Sequence, residues 1–529
     1  MIISQKPKNR KKLFALVGVC ILYLYSMLYT FALPVMYPSM LSQYGLMPYY
    51  ALFSVISISF SCVFTPLGGM LCDTVGRKKL LLVTGTLRLV LMLLCGIQTS
   101  PVTFSVLYLS SSCLTGFMYA IPLTILNDLT TLEERPRYFG IFGALTGVSL
   151  LSGILLGGII TDLFGPFFMF FLFIPILLSA MILICIGYTD TSTRANSSSL
   201  DLLGCLLMLL CLGSLVAWCN FGGSLFPWIS PLSFLMLLFV ILFFILFLIR
   251  EKNCSSPLID LAIFKDRNFD LSFLCGLFIA PMVSLCSGTL ILFAQVSLGL
   301  SSTLSSTLAL PKNIIYLTLP TILGVWISKK YSRYRTAFLW CGLLMAIAGT
   351  CSALWTVNTN ILTVYLVMIV FGLATSFQSV SLQPYMQLTI PPNRVGIASS
   401  LISFSTTLGS TLYSAVYTIC YNSRYSISRN VPTALAGSMS QEQLNQLIAP
   451  DTLKDLNNLL ALRKTVSADM LHLFDETVEN LRIACADVFQ LMAMITALSG
   501  AAIVIFTLIL YKKPHLSSQS AITANAEDK

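Results

Sequence analysis

The chain is 529 residues long, 56% apolar and only 10% charged, with a formal net charge of +10 and a mean hydropathy of +0.86. This composition excludes an ordinary soluble domain, whose wetted surface needs far more charge, and specifies a polytopic membrane protein. The basic excess reads as membrane topology and attraction to anionic lipid, not as nucleic-acid binding, for which no motif is present.

Apolar spans of about 20 residues are predicted near 13–35, 48–71, 80–98, 102–127, 138–161, 166–188 and 201–221. Seven more follow near 230–250, 269–293, 303–328, 335–355, 361–386, 394–421 and 484–511. Cationic loops stay in the cytoplasm, and the clusters Lys6, Lys8, Arg10, Lys11, Lys12, then Arg77, Lys78, Lys79, Arg135, Arg137, Arg250, Lys252, Lys265, Arg267, Lys329, Lys330, Arg333, Arg335, Lys512 and Lys513 all fall on one side. Both termini are therefore expected in the cytoplasm. The segment 422–483 is a long external loop whose six cations are balanced by seven carboxylates. The first span is too long for a signal-peptide core, and no small-residue cleavage site follows it.

Between the second and third spans lies Gly69-Met-Leu-Cys-Asp73-Thr-Val-Gly76-Arg77-Lys78-Lys79, a charged turn that surfaces for a few residues before the chain re-enters the membrane. The pattern resembles the loop between the second and third helices of major facilitator superfamily transporters. Gly69 and Gly76 permit close helix approach and a tight bend, while Asp73 and Arg77 can pair with charges on neighbouring helix ends, Asp128 above all. The resemblance implies that Gly69, Asp73, Gly76, Arg77, Lys78 and Asp128 latch the cytoplasmic side when the transporter faces outward; the alternative is a merely topogenic basic loop. The equivalent positions of the second half are Ser328, Tyr331, Ser332 and Arg333, so any latch is asymmetric.

An internal repeat supplies the architecture. Gly116, Pro136, Gly140 and Gly153 fall on Gly372, Pro392, Gly396 and Gly409 at one constant offset, and Gly69 falls on Gly324 one residue short of it. The expected fold is an all-α membrane protein with a six-helix bundle in 1–190, a two-helix insert in 191–268, and a second six-helix bundle in 269–529 carrying the external loop. Fourteen spans, the Ser-rich stretch 191–199 before Asp201, and Pro257-Leu-Ile-Asp-Leu261 leading to Phe264-Lys-Asp-Arg-Asn-Phe269 resemble the fourteen-helix drug:proton antiporter branch of that superfamily. In the fifth span, Gly143, Gly147, Gly153, Gly157 and Gly158 resemble the branch's gating helix, although Ile154 stands where a proline is expected; a plain packing face is the other reading.

Ion coupling needs a titratable group that alternates between the two aqueous sides. The first-span acidic position implied by the resemblance is Tyr25, and the fourth-span arginine position is Ser112. No Asp or Glu sits mid-span; the deep charges are Arg88, read either as a structural hydrogen-bond anchor or as a transport residue, and Lys312, read either as a substrate or proton group or as a snorkelling side chain. Tyr25, Tyr29, Tyr119, Asn313, Gln378 and Gln383 are the polar residues on candidate cavity helices, available to an amphipathic guest or to interhelical hydrogen bonding. No nucleotide-binding loop occurs, and with only two histidines in the chain no catalytic or metal constellation forms, so no cofactor is expected. The cysteines are scattered; Cys420 and Cys485 bracket the external loop as a candidate disulfide or as two idle thiols.

The expected protein is a monomeric exporter of lipophilic small molecules in the cell membrane, coupled to protons. Two buried cations and no buried acid favour neutral or anionic substrates over cationic ones. An uncoupled facilitator or importer and a non-transporting membrane sensor or accessory protein remain the alternatives.

Overall fold

The computed structural model of the protein describes residues 6–511 apart from 45, 47–49, 99, 190–200, 223–225, 255–260, 301, 389, 391–394, 426–429 and 449–455. The stretch 191–199, Pro257, Pro392, Lys512 and Lys513 lie outside the described residues. The described chain is helical throughout: α1 (Lys6–Gln43), α2 (Tyr50–Thr74), α3 (Arg77–Ile97), α4 (Pro101–Leu129), α5 (Arg135–Phe164), α6 (Phe168–Gly187), α7 (Leu202–Phe221), α8 (Pro231–Asn253), α9 (Arg267–Ser284), α10 (Leu290–Val296), α11 (Ser302–Thr307), α12 (Leu310–Ser328), α13 (Arg333–Ser352), α14 (Ile361–Met386), α15 (Val395–Arg424), α16 (Thr433–Ser438), α17 (Gln441–Ile448), α18 (Leu456–Thr465) and α19 (Leu471–Leu510). Among the described residues, ten helices are long and apolar enough to cross a membrane, where only a helix satisfies every backbone group internally.

Local chemistry sets several boundaries. Gly76 adopts φ 101°, a conformation side chains disfavour, and so lets α3 start immediately after α2. Asp201 caps α7 through Gly204 N–H at 3.0 Å and receives the Arg250 guanidinium from the end of α8 at 3.1 Å, closing the α7–α8 pair. The segment predicted as one span over 303–328 is two helices, because Pro311 has no N–H with which to continue the ladder from Thr307. The 269–293 span is likewise broken: Pro281 precedes a single π turn at Leu285–Thr289 that separates α9 from α10.

In the first half α1 packs on α4, α5 and α6, α2 on α4, and α3 on α4 and α6. In the second, α9 packs on α14, α15 and α19, while α14 holds α12 and α13. The halves meet along two seams, α2 with α15 and α5 with α12, and α7 lies over the first of these, touching both α2 and α15. The repeat glycines sit at equivalent crossings. A Cβ on Gly116 would lie 2.7 Å from Thr65 N on α2, and one on Gly372 would lie 3.0 Å from Lys312 O on α12. Gly153 meets α1 as Gly409 meets α9.

The two seams repeat the same device. A Cβ on Gly69 would come within 2.8 Å of the Gly396 carbonyl carbon across the α2–α15 seam, and one on Gly324 within 3.0 Å of Arg137 Cα across the α5–α12 seam. Gly324→Val forces two backbones apart, at a cost of about 1–3 kcal/mol. We expect both halves to fold while cross-linking between cysteines placed on α5 and α12 falls severalfold.

The 422–483 segment builds a small separate core. Tyr425, Leu435, Leu447, Phe474 and Leu481 are its buried centre, and α19 begins inside it, longer than the predicted 484–511 span. Arg482 Nε donates to Val296 O at 3.1 Å and Ser297 Oγ to Arg482 O at 3.0 Å, tying this core to the end of α10. No disulfide joins Cys420 and Cys485.

Candidate functional site

At the junction of the halves is a cavity of about 330 Å³. It is walled by Tyr23 and Met27 of α1, Tyr119 and Leu123 of α4, Phe139, Phe142, Gly143 and Thr146 of α5, Ile279, Ala280 and Val283 of α9, and Tyr316 of α12. Gln378, Ser379, Leu382 and Gln383 of α14 and Ile402, Ser403, Thr406, Thr407 and Ser410 of α15 complete it. No lining side chain is charged. The Tyr23 and Thr146 hydroxyls share a hydrogen bond at 3.1 Å. Gln383 Nε2 donates to Ser399 O at 3.0 Å and Ser403 Oγ at 3.2 Å, fixing the amide so that its buried Oε1, without a protein partner, is left as an acceptor.

Of the sequence-predicted cavity residues, Tyr119, Gln378 and Gln383 line this space and Gly143 forms part of its floor. Lys312, Asn313, Arg88, Tyr25 and Tyr29 are elsewhere. Lys312 belongs to the first turn of α12 because of the break before Pro311, is half-buried, and lies off the cavity wall, which receives Tyr316 one turn later. Gly372, three turns into α14, packs on the Lys312 backbone. Asn313 is buried, its Oδ1 without a protein partner.

Arg88 is 1% exposed and sits inside the first half. Its Nε donates to the Tyr25 hydroxyl at 3.1 Å, its Nη1 donates to Ser111 O and Oγ, and its guanidinium lies 4.3 Å from the Tyr29 ring centroid. Tyr25 and Tyr29 thus hold a cation. No carboxylate is among these partners, so hydrogen bonds and ring electrons stabilise the charge.

The charged turn assembles a second site. Arg77 pairs with Asp128 and, at 3.3 Å, with Asp73, while Tyr188 donates to Asp128. Lys78 Nζ caps the end of α6, donating to Cys185 O at 2.7 Å and Tyr188 O at 3.0 Å. Asp73 also accepts from Ile397 N–H of α15 at 3.2 Å, and a Cβ on Gly396 would lie 2.6 Å from its Oδ2. A carboxylate of one half therefore caps a helix N-terminus of the other, where free N–H groups and the helix dipole favour negative charge. The corresponding end of α12 has no acid: Arg333 turns back onto Trp326 O and its ring. Arg135, at the start of α5, reaches Asn127 O at 3.1 Å and, across the halves, Gln387 O at 3.5 Å.

The α5 glycines face two partners. Gly140, Gly143 and Gly147 pack on Pro320 and Leu317 of α12, and Gly153 packs on α1. Gly157 is buried, and the surroundings of Gly158 lie outside the described residues.

A sequence profile of the Major Facilitator Superfamily matches residues 15–414. The chain belongs to this superfamily. Major facilitator proteins are transporters, not enzymes, and this member is an integral, multi-pass membrane protein. It is 26% identical over 390 residues to "Multidrug resistance protein 3" of Bacillus subtilis (strain 168), covering 72% of this chain and 74% of that one. It is 22% identical over 499 residues to "Multidrug transporter protein MdtP" of the same organism, covering 89% and 91%. Its fold resembles an outward-facing bacterial homologue of the iron transporter ferroportin, with a TM-score of 0.56 at 13% identity over 94% of this chain and 99% of that one.

Sequence reasoning missed Tyr23, Tyr316 and the α15 hydroxyls. A signal for the last was available: Ser403, Thr406, Thr407 and Ser410 recur at i, i+3, i+4 and i+7, a polar stripe on one face of a membrane span.

Proposed function

We propose that this protein is a secondary active exporter of neutral, amphipathic lipophiles, working by alternating access across a cell membrane as a monomer. In this reading the chain crosses fourteen times, as two six-helix halves plus the α7–α8 insert, with both termini and the latch on the cytoplasmic side. The observation that carries it is an uncharged, hydroxyl- and amide-lined cavity of about 330 Å³ at the junction of the two halves, beyond a contact that ties those halves together. Pockets of this size, mostly apolar with a few placed polar groups, suit drug-sized guests. The multidrug names of the relatives support the substrate class. Because neither Arg88 nor Lys312 lines the cavity, neutral compounds rank ahead of anionic ones. Protons are the proposed coupling ion; Asp73 is the buried carboxylate that contact between the halves engages, and Asp128 pairs with Arg77 beside it.

The test is flux of neutral, anionic and cationic lipophiles in reconstituted vesicles with and without a pH gradient. Gradient-driven flux is expected, fastest for neutral compounds. Gln383→Leu, which removes the unpaired acceptor, is expected to weaken binding of a hydrogen-bond-donating substrate by about five- to tenfold. Preference for cations would overturn the substrate class, equal flux without a gradient would mean a facilitator, and no flux of any compound would mean a sensor or accessory protein.

A further inference from the structure

The α1–α5 crossing is tight at one end and open at the other. Gly153 lets α1 approach closely, a Cβ there lying 3.3 Å from Leu28 O and Ala32 N. Toward the latch side the same two helices leave an apolar groove of about 270 Å³, walled by residues that include Cys20, Leu24, Tyr138 and Leu145 and none that is charged. At the level of its lower lip Lys12 pairs with Glu134 at 3.5 Å, both partly exposed, as side chains at a headgroup boundary are.

The groove and the cavity share a wall. On α1, Cys20 and Leu24 face the groove while Tyr23 faces the cavity; on α5, Tyr138 and Leu145 face the groove while Phe142 and Thr146 face the cavity. One aromatic pair closes the partition. The Tyr23 and Phe142 rings stack with centroids 4.1 Å apart and planes 9° from parallel, and Tyr23 is pinned by its hydrogen bond to Thr146. One leaf of the partition belongs to α5, the helix whose glycines pack on α12 of the other half. The α2–α15 seam is covered by α7.

We propose that this groove is a lateral portal through which a neutral lipophile dissolved in the latch-side leaflet reaches the cavity, with the Tyr23–Phe142 stack as its gate. The portal rests on the reading of the cavity as a substrate site. It admits what the leaflet concentrates, molecules that are apolar over most of their surface, and it rejects ions, which would have to shed their hydration in an uncharged groove.

The experiment is photolabelling in reconstituted vesicles with a neutral diazirine-bearing alkyl aryl ether, set beside a water-soluble neutral diazirine of similar head, with labelled peptides mapped by mass spectrometry. In the unmodified protein the ether is expected to mark both the groove and the α14–α15 cavity wall. Leu145→Trp, which fills the groove, is expected to slow cavity labelling by the ether about fivefold or more, the scale of one obstructing side chain, and to leave labelling by the soluble probe unchanged. Phe142→Ala is expected to accelerate cavity labelling by the ether. Cavity labelling that stays at its original rate in Leu145→Trp overturns the portal. If both probes slow together in Leu145→Trp, the Phe142→Ala rate decides: acceleration supports the gate and an unchanged rate overturns it. Groove labelling with no cavity labelling, in the unmodified protein and in Phe142→Ala alike, reveals a resting acyl-chain site and also overturns it. Groove-dependent cavity labelling in a protein that moves no compound across the bilayer would sink the export reading and leave the portal standing.

Discussion

Asp73→Ala is expected to abolish most transport while leaving the protein folded. The substitution removes the side-chain cap on α15, worth about 0.5–2 kcal/mol on its own, and strips Arg77 of one of its two carboxylates. Loss of one partner from a buried charge cluster adds a further cost of a few kcal/mol. A shift of about 3 kcal/mol moves the ratio of closed to open forms by more than a hundredfold. Flux should fall by an order of magnitude or more, and distances between spin labels on the latch-side ends of α2 and α15 should lengthen. Asp73→Asn should do less, because its amide oxygen still accepts from Ile397 N–H. Equal defects in the two variants would show that charge, not the cap, holds the seam.

Arg88→Ala is expected to unfold the first half at markedly lower temperature. The guanidinium fills a site with no access to water, donates to Tyr25 and to Ser111, and faces the Tyr29 ring. Truncation leaves a cavity and orphans at least one buried acceptor, together costing about 3 kcal/mol or more. Thermal unfolding in detergent should show a drop of several degrees, with substrate affinity unchanged because Arg88 does not line the cavity. Arg88→Met, which keeps most of the volume and removes the buried charge, should recover much of the stability. A variant with normal unfolding but lost coupling would instead make Arg88 part of the transport cycle.

The sequence carried more of the scaffold than of the site. Helix positions were legible because a membrane-crossing helix must be apolar for about twenty residues, and the repeat was legible because close backbone crossings admit only glycine. Those constraints act on single residues, as at Gly69 and Gly396, and survive in both halves. The two broken helices were not legible in the same way, because Pro281 and Pro311 sit in apolar runs whose hydropathy does not change. Cavity residues are harder, since a tyrosine or serine in a span reads alike whether it bonds its own helix or faces a guest. Tyr25 and Tyr29 carried the same sequence signal as Tyr119, yet they surround Arg88. What separated them was the depth and rotation of each helix, which only the packing of neighbours sets.

The two seams are built alike from glycine and unlike in charge. Along one, a carboxylate is seated on the end of α15 and α7 is laid across the outside; along the other, glycine meets backbone with no acid at the end of α12. Under the alternating access proposed above, parting the halves breaks a carboxylate cap along one seam and glycine packing along the other, so a charge substitution loosens one edge and a bulky one the other.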